Sequence, residues 1–296
     1  MISIITPTHK RMPLVEMVVE SVMNQTYTDW EWVVLDTAEV PFFKKLFDEF
    51  LKTHPIYEKD SHKVKIFEKN MTGFSIGEIK REAINHISCK SDEWTIQLDH
   101  DDILFSNALE YIDKCDKFCG TEIDYMSADR FSSVYDINTG IFYSCWYSDS
   151  PDYKLVNSDP LHVGNWALSF PVECAVRYNS MPAGAIPPMH PRVLRSGFIK
   201  NPAFAPGIVD LTHEDLVQMT MVGYLLRGAW IESPLIMDVT YRDDDKYINT
   251  SRIMEHAAGN DTAGGVYNEL KTVFDKVLGL DYRRKFIFFD PKKINI

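Results

Sequence analysis

The sequence predicts an α/β fold, a mostly parallel central sheet flanked by helices and closed by a C-terminal helical extension. Three observations carry this. Short β-branched runs alternate with helical stripes over the first hundred residues, the rhythm of parallel strands joined by right-handed crossovers. With 296 residues, 45% apolar and 25% charged, the chain is large enough to hide roughly 75% of the surface its unfolded form exposes. A last helical pattern, Asp261 to Leu278, follows the final long strand signal.

Four strands are expected at Ile2 to Thr6, Trp32 to Leu35, Val64 to Phe67 and Trp94 to Leu98, separated by helices at Pro13 to Met23, Pro41 to Leu51 and Ile76 to Ile87. The third helix puts Ile76, Ile79, Ala83, Ile84 and Ile87 on one stripe and leaves Glu78, Arg81, Glu82 and Asn85 on other faces. Ligands of such sheets lie in the crevice at the carboxyl ends of the strands, so the loops after Thr6, Leu35, Phe67 and Leu98 are expected to converge. Beyond Leu98 the rhythm changes. A helix from Asn107 to Cys115 and a short strand from Asp124 to Ser127 precede two extended runs, Phe131 to Tyr135 and Ile141 to Trp146, joined by the turn Asn138-Thr139-Gly140. Nine prolines between 146 and 212 predict loops that wrap over the sheet. An apolar helix from Glu214 to Leu226 and a strand from Met237 to Thr240 follow. The segment Arg283 to Phe289 reads as a terminal strand, or as a short basic and aromatic stretch able to touch a membrane surface or a partner.

Lys and Arg number 31 against 43 Asp and Glu, a formal charge of −12, which argues against nucleic-acid binding driven mainly by phosphate contacts and leaves open only a local basic groove. The five cysteines are odd in number and lack a second Cys/His pair at zinc-site spacing, so they read as reduced thiols. Met1 is followed at once by Ile-Ser-Ile-Ile and Pro7, without a basic leader, and no apolar run reaches the ~18 residues of a membrane span. The expected location is the cytoplasm.

The chemistry concentrates after the fourth strand, where Trp94-Thr95-Ile96-Gln97-Leu98 runs directly into Asp99-His100-Asp101-Asp102. Two like charges about 4 Å apart repel by ~4 kcal/mol at an effective dielectric near 20. A hard divalent ion relieves that repulsion, and Mg²⁺ or Mn²⁺ accepts one or two carboxylates while keeping positions for water and substrate phosphates. A solvated acidic turn ahead of the helix at Asn107 is the plain alternative. Asp36, at the end of the second strand, suits a uracil imide or a ribose hydroxyl, and equally a helix cap. Thr6, Pro7 and Thr8, followed by His9-Lys10-Arg11, bring hydroxyls, backbone amides and positive charge to the same edge, or form only a turn with a basic face. Lys80 and Arg81 lie near a helix N-terminus whose dipole favours anions, or are an ordinary surface pair.

Together these residues resemble the nucleotide-sugar half of family 2 glycosyltransferases, which have the GT-A fold. The stretches carrying the resemblance are Ile2-Ser-Ile-Ile-Thr-Pro-Thr-His9, Glu20 to Tyr27, Trp32-Val-Val-Leu-Asp36, Ile76-Gly-Glu-Ile-Lys-Arg81 and Leu98-Asp-His-Asp-Asp102. The resemblance is close over residues 1–105 and weaker over 106–245. It departs from the family where Thr37-Ala38-Glu39 stands for the usual Gly-Ser after Asp36, and where Glu82 stands for an Asn. It implies a GT-A domain over residues 1–245, with a nucleotide-sugar half at 1–105, an acceptor half at 106–245 and an extension at 246–296. Donor contacts would come from Thr6, Pro7, Thr8, Asp36, Lys80, Arg81, Asp99 and Arg242, and the metal, Mn²⁺ or Mg²⁺, would sit on Asp99, Asp101 and Asp102.

Thr212-His213-Glu214-Asp215 resembles the family's Glu-Asp motif, which makes Asp215 the general base and Glu214 its acceptor-orienting neighbour. Read locally, the same residues form a helix N-terminus capped by Thr212. Arg242 could clamp phosphate, or belong to a self-neutralising charge run. Trp146, His162, Trp166 and His213 fall where the acceptor should lie, although aromatics in this region are as readily core.

The resemblance implies an inverting transferase that moves a sugar from a UDP-sugar to a hydroxyl of a glycan or glycoconjugate, with a modified nucleobase also open. Two alternatives stand beside it. A sugar nucleotidyltransferase shares the sheet and acidic site but needs a glycine-rich loop after its first strand, and Ile5 to Pro13 contains no glycine. A non-catalytic nucleotide- or sugar-binding module would keep the fold alone.

Overall fold

A computed structural model describes residues 1–145, 160–161, 192–201, 228–243, 246–248 and 286–289. In chain order the elements are β1 (Ile2–Thr8), α1 (Val15–Met23), β2 (Trp30–Asp36), α2 (Phe43–Thr53), β3 (Val64–Glu68), α3 (Ile76–Ile84), β4 (Trp94–Gln97), β5 (Ile103–Leu104), α4 (Ala108–Cys119), β6 (Tyr125–Asp136), β7 (Ile141–Cys145), β8 (Pro160–Leu161), β9 (Arg192–Arg195), α5 (Ser196–Lys200), β10 (Gly228–Asp243), β11 (Lys246–Ile248) and β12 (Phe286–Phe289). A 3-10 segment, Pro55–Lys63, links α2 to β3.

One sheet has the spine β11-β10-β6-β9-β4-β1-β2-β3. Its β3-β2-β1-β4 half is parallel, with Ile2↔Trp30 to Thr8↔Asp36, Trp32↔Val64 to Asp36↔Glu68, and Ile2↔Trp94 to Ile5↔Gln97. Both faces of this half are covered, which is why β1 and β2 are buried along their whole length. The period of two sorts their side chains. Ile2, Ile4, Trp30, Trp32 and Val34 pack with α1, α2 and α4 on one face, while Ile5, Val33 and Leu35 meet Ile79, Ala83 and Ile84 of α3 and Ile199 of α5 on the other. Trp32 fixes the first face. Its ring meets Phe43 edge-on at 5.6 Å, and its indole N–H donates to Thr6 Oγ1 at 2.9 Å.

The α/β architecture and the mostly parallel sheet are those expected, and the terminal strand is present as β12, parallel to β10. Other expectations are corrected. The two strands drawn at Asp124 to Ser127 and Phe131 to Tyr135 are one continuous β6, antiparallel to β7 across the anticipated turn. The four-residue strand at Met237 to Thr240 is part of the sixteen-residue β10, which accommodates Pro234 at a register shift against β6. The proline-rich 146–212 region, expected to be loops, contributes a strand. Arg192–Arg195 enters the sheet as β9, antiparallel to both β4 and β6. The helices expected at Glu214 to Leu226 and Asp261 to Leu278 lie outside the described residues. No helix among the described residues is long and apolar enough to cross a membrane.

Candidate active site

In a β3-β2-β1-β4 order the chain leaves β1 toward β2 on one side and returns to β4 on the other, so a crevice opens beyond the carboxyl ends of β1 and β4. Asp99 to Asp102 follow β4 at that crevice and His9 to Arg11 follow β1. The two loops touch through their histidines, whose rings meet edge-on at 5.3 Å, and the His100 ring N–H donates to the Pro7 carbonyl. Burial, opposed by the Asp99 charge, lowers the His100 pKa from 6.5 to about 4, so this imidazole is neutral at neutral pH.

The carboxylates differ in their surroundings. Asp99 keeps 28% of its side chain exposed and is flanked by two buried cations, Lys80 Nζ at 3.4 Å from α3 and Arg192 Nη2 at 3.4 Å from β9. Asp101 and Asp102 are buried. Burial pushes the Asp102 carboxyl well above its ordinary range, and the charges of Asp238, Asp101 and Asp99 add to that shift, while the Val239 N–H, donating at 3.3 Å, opposes it. This crowding of hard oxygen donors is the environment a divalent cation relieves. Among the described residues no three His, Cys, Asp or Glu side chains converge closely enough to hold a metal unaided. A divalent ion at this loop would have to be taken up by one or two carboxylates together with a ligand's phosphates, rather than by an all-protein cage.

The other site residues divide. Lys80 is buried in the middle of α3 and reaches the site through its ion pair with Asp99, while Arg81 is half-buried on the same helix. The Thr6 hydroxyl does not serve the crevice, because it accepts the Trp32 indole N–H inside the core. Thr8, also buried, hydrogen-bonds to the Lys10 carbonyl through Oγ1 at 3.4 Å, and its own carbonyl accepts the Thr37 N–H at 2.7 Å. Pro7 is buried and offers its carbonyl to His100. Asp36 acts as the helix cap: one oxygen accepts from Ala38 N–H at 3.0 Å, the other from Phe42 and Phe43 N–H at 2.7 and 2.8 Å, which anchors the start of α2. Arg242 lies in β10 opposite Asp136. Trp146, His162, Trp166, His213, Glu214 and Asp215 lie outside the described residues.

Two residues at the site escaped the sequence reading. Asp238 interrupts the apolar run of β10, and a carboxylate inside an apolar strand was the available signal. Arg192 carried none, because a four-residue strand after a proline-rich stretch has too short a pattern to register.

Residues 3–142 match the family model described as Glycosyl transferase family 2. No curated protein matches the chain. Among solved structures, the 1–349 fragment of S. aureus TarS is similar over 83% of this chain and 59% of that one, at 14% identity and a TM-score of 0.41. The same fragment in complex with UDP-GlcNAc is similar over 95% of this chain and 68% of that one, at 12% identity and a TM-score of 0.47. The mannosyltransferase PcManGT from Pyrobaculum calidifontis, in complex with GDP-Man and Mn²⁺, is similar over 44% of this chain and 35% of that one, at 20% identity and a TM-score of 0.35. The chain thus spans 59% of the length of the first TarS structure. The matched segment takes in β1 to β4, the acidic loop and the β6–β7 hairpin as far as Phe142, and over these residues the chain is similar to glycosyl transferase family 2.

Proposed function

We propose that this protein is an inverting glycosyltransferase that moves a sugar from a nucleoside diphosphate sugar, UDP-linked, to an acceptor hydroxyl. The observation that carries the reading is the acidic loop Asp99 to Asp102, set at the β1/β4 crevice of a segment similar to family 2 beside the buried cations Lys80 and Arg192. Residues 1–245 form the transferase unit in this reading, and residues 246–296 extend it, contributing β11 and β12 to the edge of the sheet.

One or two of the carboxylates of Asp99, Asp101 and Asp102 would hold Mn²⁺ or Mg²⁺ together with the donor's phosphates. When bound, the ion neutralises charge on the leaving diphosphate. The chain's own groups do the remaining work. Lys80, Arg81 and Arg242 supply positive charge around the diphosphate. The backbone at Thr6 to Thr8 and the Asp36 corner shape the nucleoside side, the Thr6 hydroxyl and Asp36 carboxylate acting within the fold. Asp215 takes the proton of the attacking hydroxyl, and Glu214 orients the acceptor. Trp146, His162, Trp166 and His213 line the acceptor side, for a glycan or glycoconjugate hydroxyl. Attack opposite the departing diphosphate inverts the anomeric centre, so a single carboxylate base suffices.

The test is UDP release from a panel opened by UDP-GlcNAc and GDP-mannose, the second reporting GDP, with Mn²⁺ and without acceptor. Slow metal-dependent nucleoside diphosphate release is expected, and Asp101→Ala should abolish both the release and metal-dependent UDP binding. Pyrophosphate release would instead identify a nucleotidyltransferase. Metal-dependent UDP binding without turnover on any acceptor would identify a silent binding module.

A further inference from the structure

We infer that Arg192 is a positioning residue for the donor site, holding the Asp99 carboxylate from within the sheet so that the 99–102 loop keeps Asp101 and Asp102 in place for the divalent cation that accompanies a diphosphate. This role rests on the proposed transferase function.

Arg192 opens β9 and pairs in register with Gln97, two residues before Asp99. Because β9 runs antiparallel to β4, its first residue lies at the crevice end of the sheet and its last at the opposite end. Cross-strand partners share a face, and Leu194, two residues on, packs in the cluster with Ile79 and Ala83 of α3. Arg192 and Lys80 therefore approach Asp99 from the α3 side of the sheet. The Arg192 side chain is fully buried, and its Nη2 stands 3.5 and 3.4 Å from the two Asp99 oxygens.

Burial of a guanidinium that cannot deprotonate is costly unless a counter-charge meets it. Here that charge is a carboxylate still open to the crevice on its other side. Lys80 comes from a helix packed on one face of the sheet, whereas Arg192 comes from a strand inserted between β4 and β6, so it fixes Asp99 to the sheet itself. At the far end of the same strand, Arg195 locks β9 in place: it binds Asp116 at 2.7 Å and the Asp92 carbonyl at 2.6 Å, with its guanidinium 4.0 Å over the Trp94 ring. The strand is thus a rigid mount, and a loop held by a rigid mount retains its geometry when the ligand's charge arrives.

The experiment is a double-mutant cycle on Arg192→Met and Asp99→Asn, read by calorimetry of UDP with and without Mn²⁺ and by urea denaturation of each form. Arg192→Met should weaken Mn²⁺-dependent UDP binding about tenfold, within the range of coupled contacts. Arg192→Lys should recover most of that loss, and Arg192→Met should add little once Asp99 is already Asn. A merely structural role would lower urea midpoints of both Arg192 variants while leaving UDP affinity unchanged, or would give equal binding losses in the two Asp99 backgrounds. Either outcome overturns the inference. If Arg192→Met does not fold, the cycle is run on Arg192→Gln, which also removes the charge, and additive binding effects there overturn the inference in the same way. Absence of UDP binding by the unmodified chain would instead sink the transferase reading, and this role with it.

Discussion

Glu31 shows how a single residue sets part of this protein's acid tolerance. Its carboxylate is buried between β1 and β3, accepting from Ser3 Oγ at 2.5 Å, Lys65 Nζ at 2.6 Å and the Ser88 N–H at 2.5 Å. Burial by itself would raise its pKa, but the donors, Lys65 first, outweigh burial and hold it below the ordinary 4.5. A carboxyl whose folded pKa is depressed stabilises the fold fully above the unfolded value. That contribution is lost as pH falls from about 4.5 through the folded pKa. We expect Glu31→Gln to cost about 1–3 kcal/mol at pH 7, the scale of a buried charge-assisted hydrogen bond, with the gap to the parent narrowing as the solution is acidified below 4.5. Urea titrations of both proteins at pH 7 and pH 3.5 would measure this, and a constant gap would refute it. Asp215→Asn should retain Mn²⁺-dependent UDP binding while losing transfer by about 10²-fold or more, the usual contribution of a general base. Full activity of the variant in a sugar-transfer assay would reject the base assignment.

Among the elements, β10 depends on a glycine for a steric reason. Gly228 lies opposite Tyr125 of β6, and a Cβ built at Gly228 would overlap Cζ of that ring. Tyr125 is buried at 1% exposure, so the ring has little room to move aside. Gly228→Ala should therefore destabilise the protein by about 1–3 kcal/mol, as overpacked cores do. The loss should shrink when Tyr125 is also cut to Leu, which a four-variant denaturation series would detect. Helix α3 illustrates an element whose ends the sequence declares. Ser75 accepts the Glu78 N–H at 3.2 Å while Glu78 accepts the Ser75 N–H at 2.8 Å, a reciprocal capping box. Its removal by Ser75→Ala should cost about 1 kcal/mol, measured by the shift in urea midpoint, and an unchanged midpoint would show that the packed stripe alone holds this helix.

For the molecule as a whole, the decisive property is that the β1/β4 crevice exists only in the folded sheet, since its two walls come from residues about ninety positions apart in a chain crossing from β1 to β4. A ligand that binds only the folded state stabilises it by mass action, by about 2.7 kcal/mol at one hundred times its Kd. UDP with Mn²⁺ is accordingly expected to raise the melting temperature by several degrees, and UDP with a chelator to raise it much less. Equal shifts with and without metal in a thermal-shift series would argue against a metal-held diphosphate.

Local pattern sufficed where local physics decides. The period-two strands β1 and β2, the apolar stripe of α3 and the acidic run at the end of β4 are all short-range features, and each was readable as written. Contact across the sheet is different. That Thr6 spends its hydroxyl on Trp32, that Asp36 caps α2 six residues away, and that β9 slips between β4 and β6 to bring Arg192 against Asp99 depend on which strands become neighbours. Strand order is chosen by the burial of both sheet faces over the entire chain, so no window of sequence contains it. The amino-acid order by itself determined the kind of fold and the place of the acidic loop. Only the tertiary structure decided which cations stand behind that loop and which of its polar neighbours are consumed by the fold.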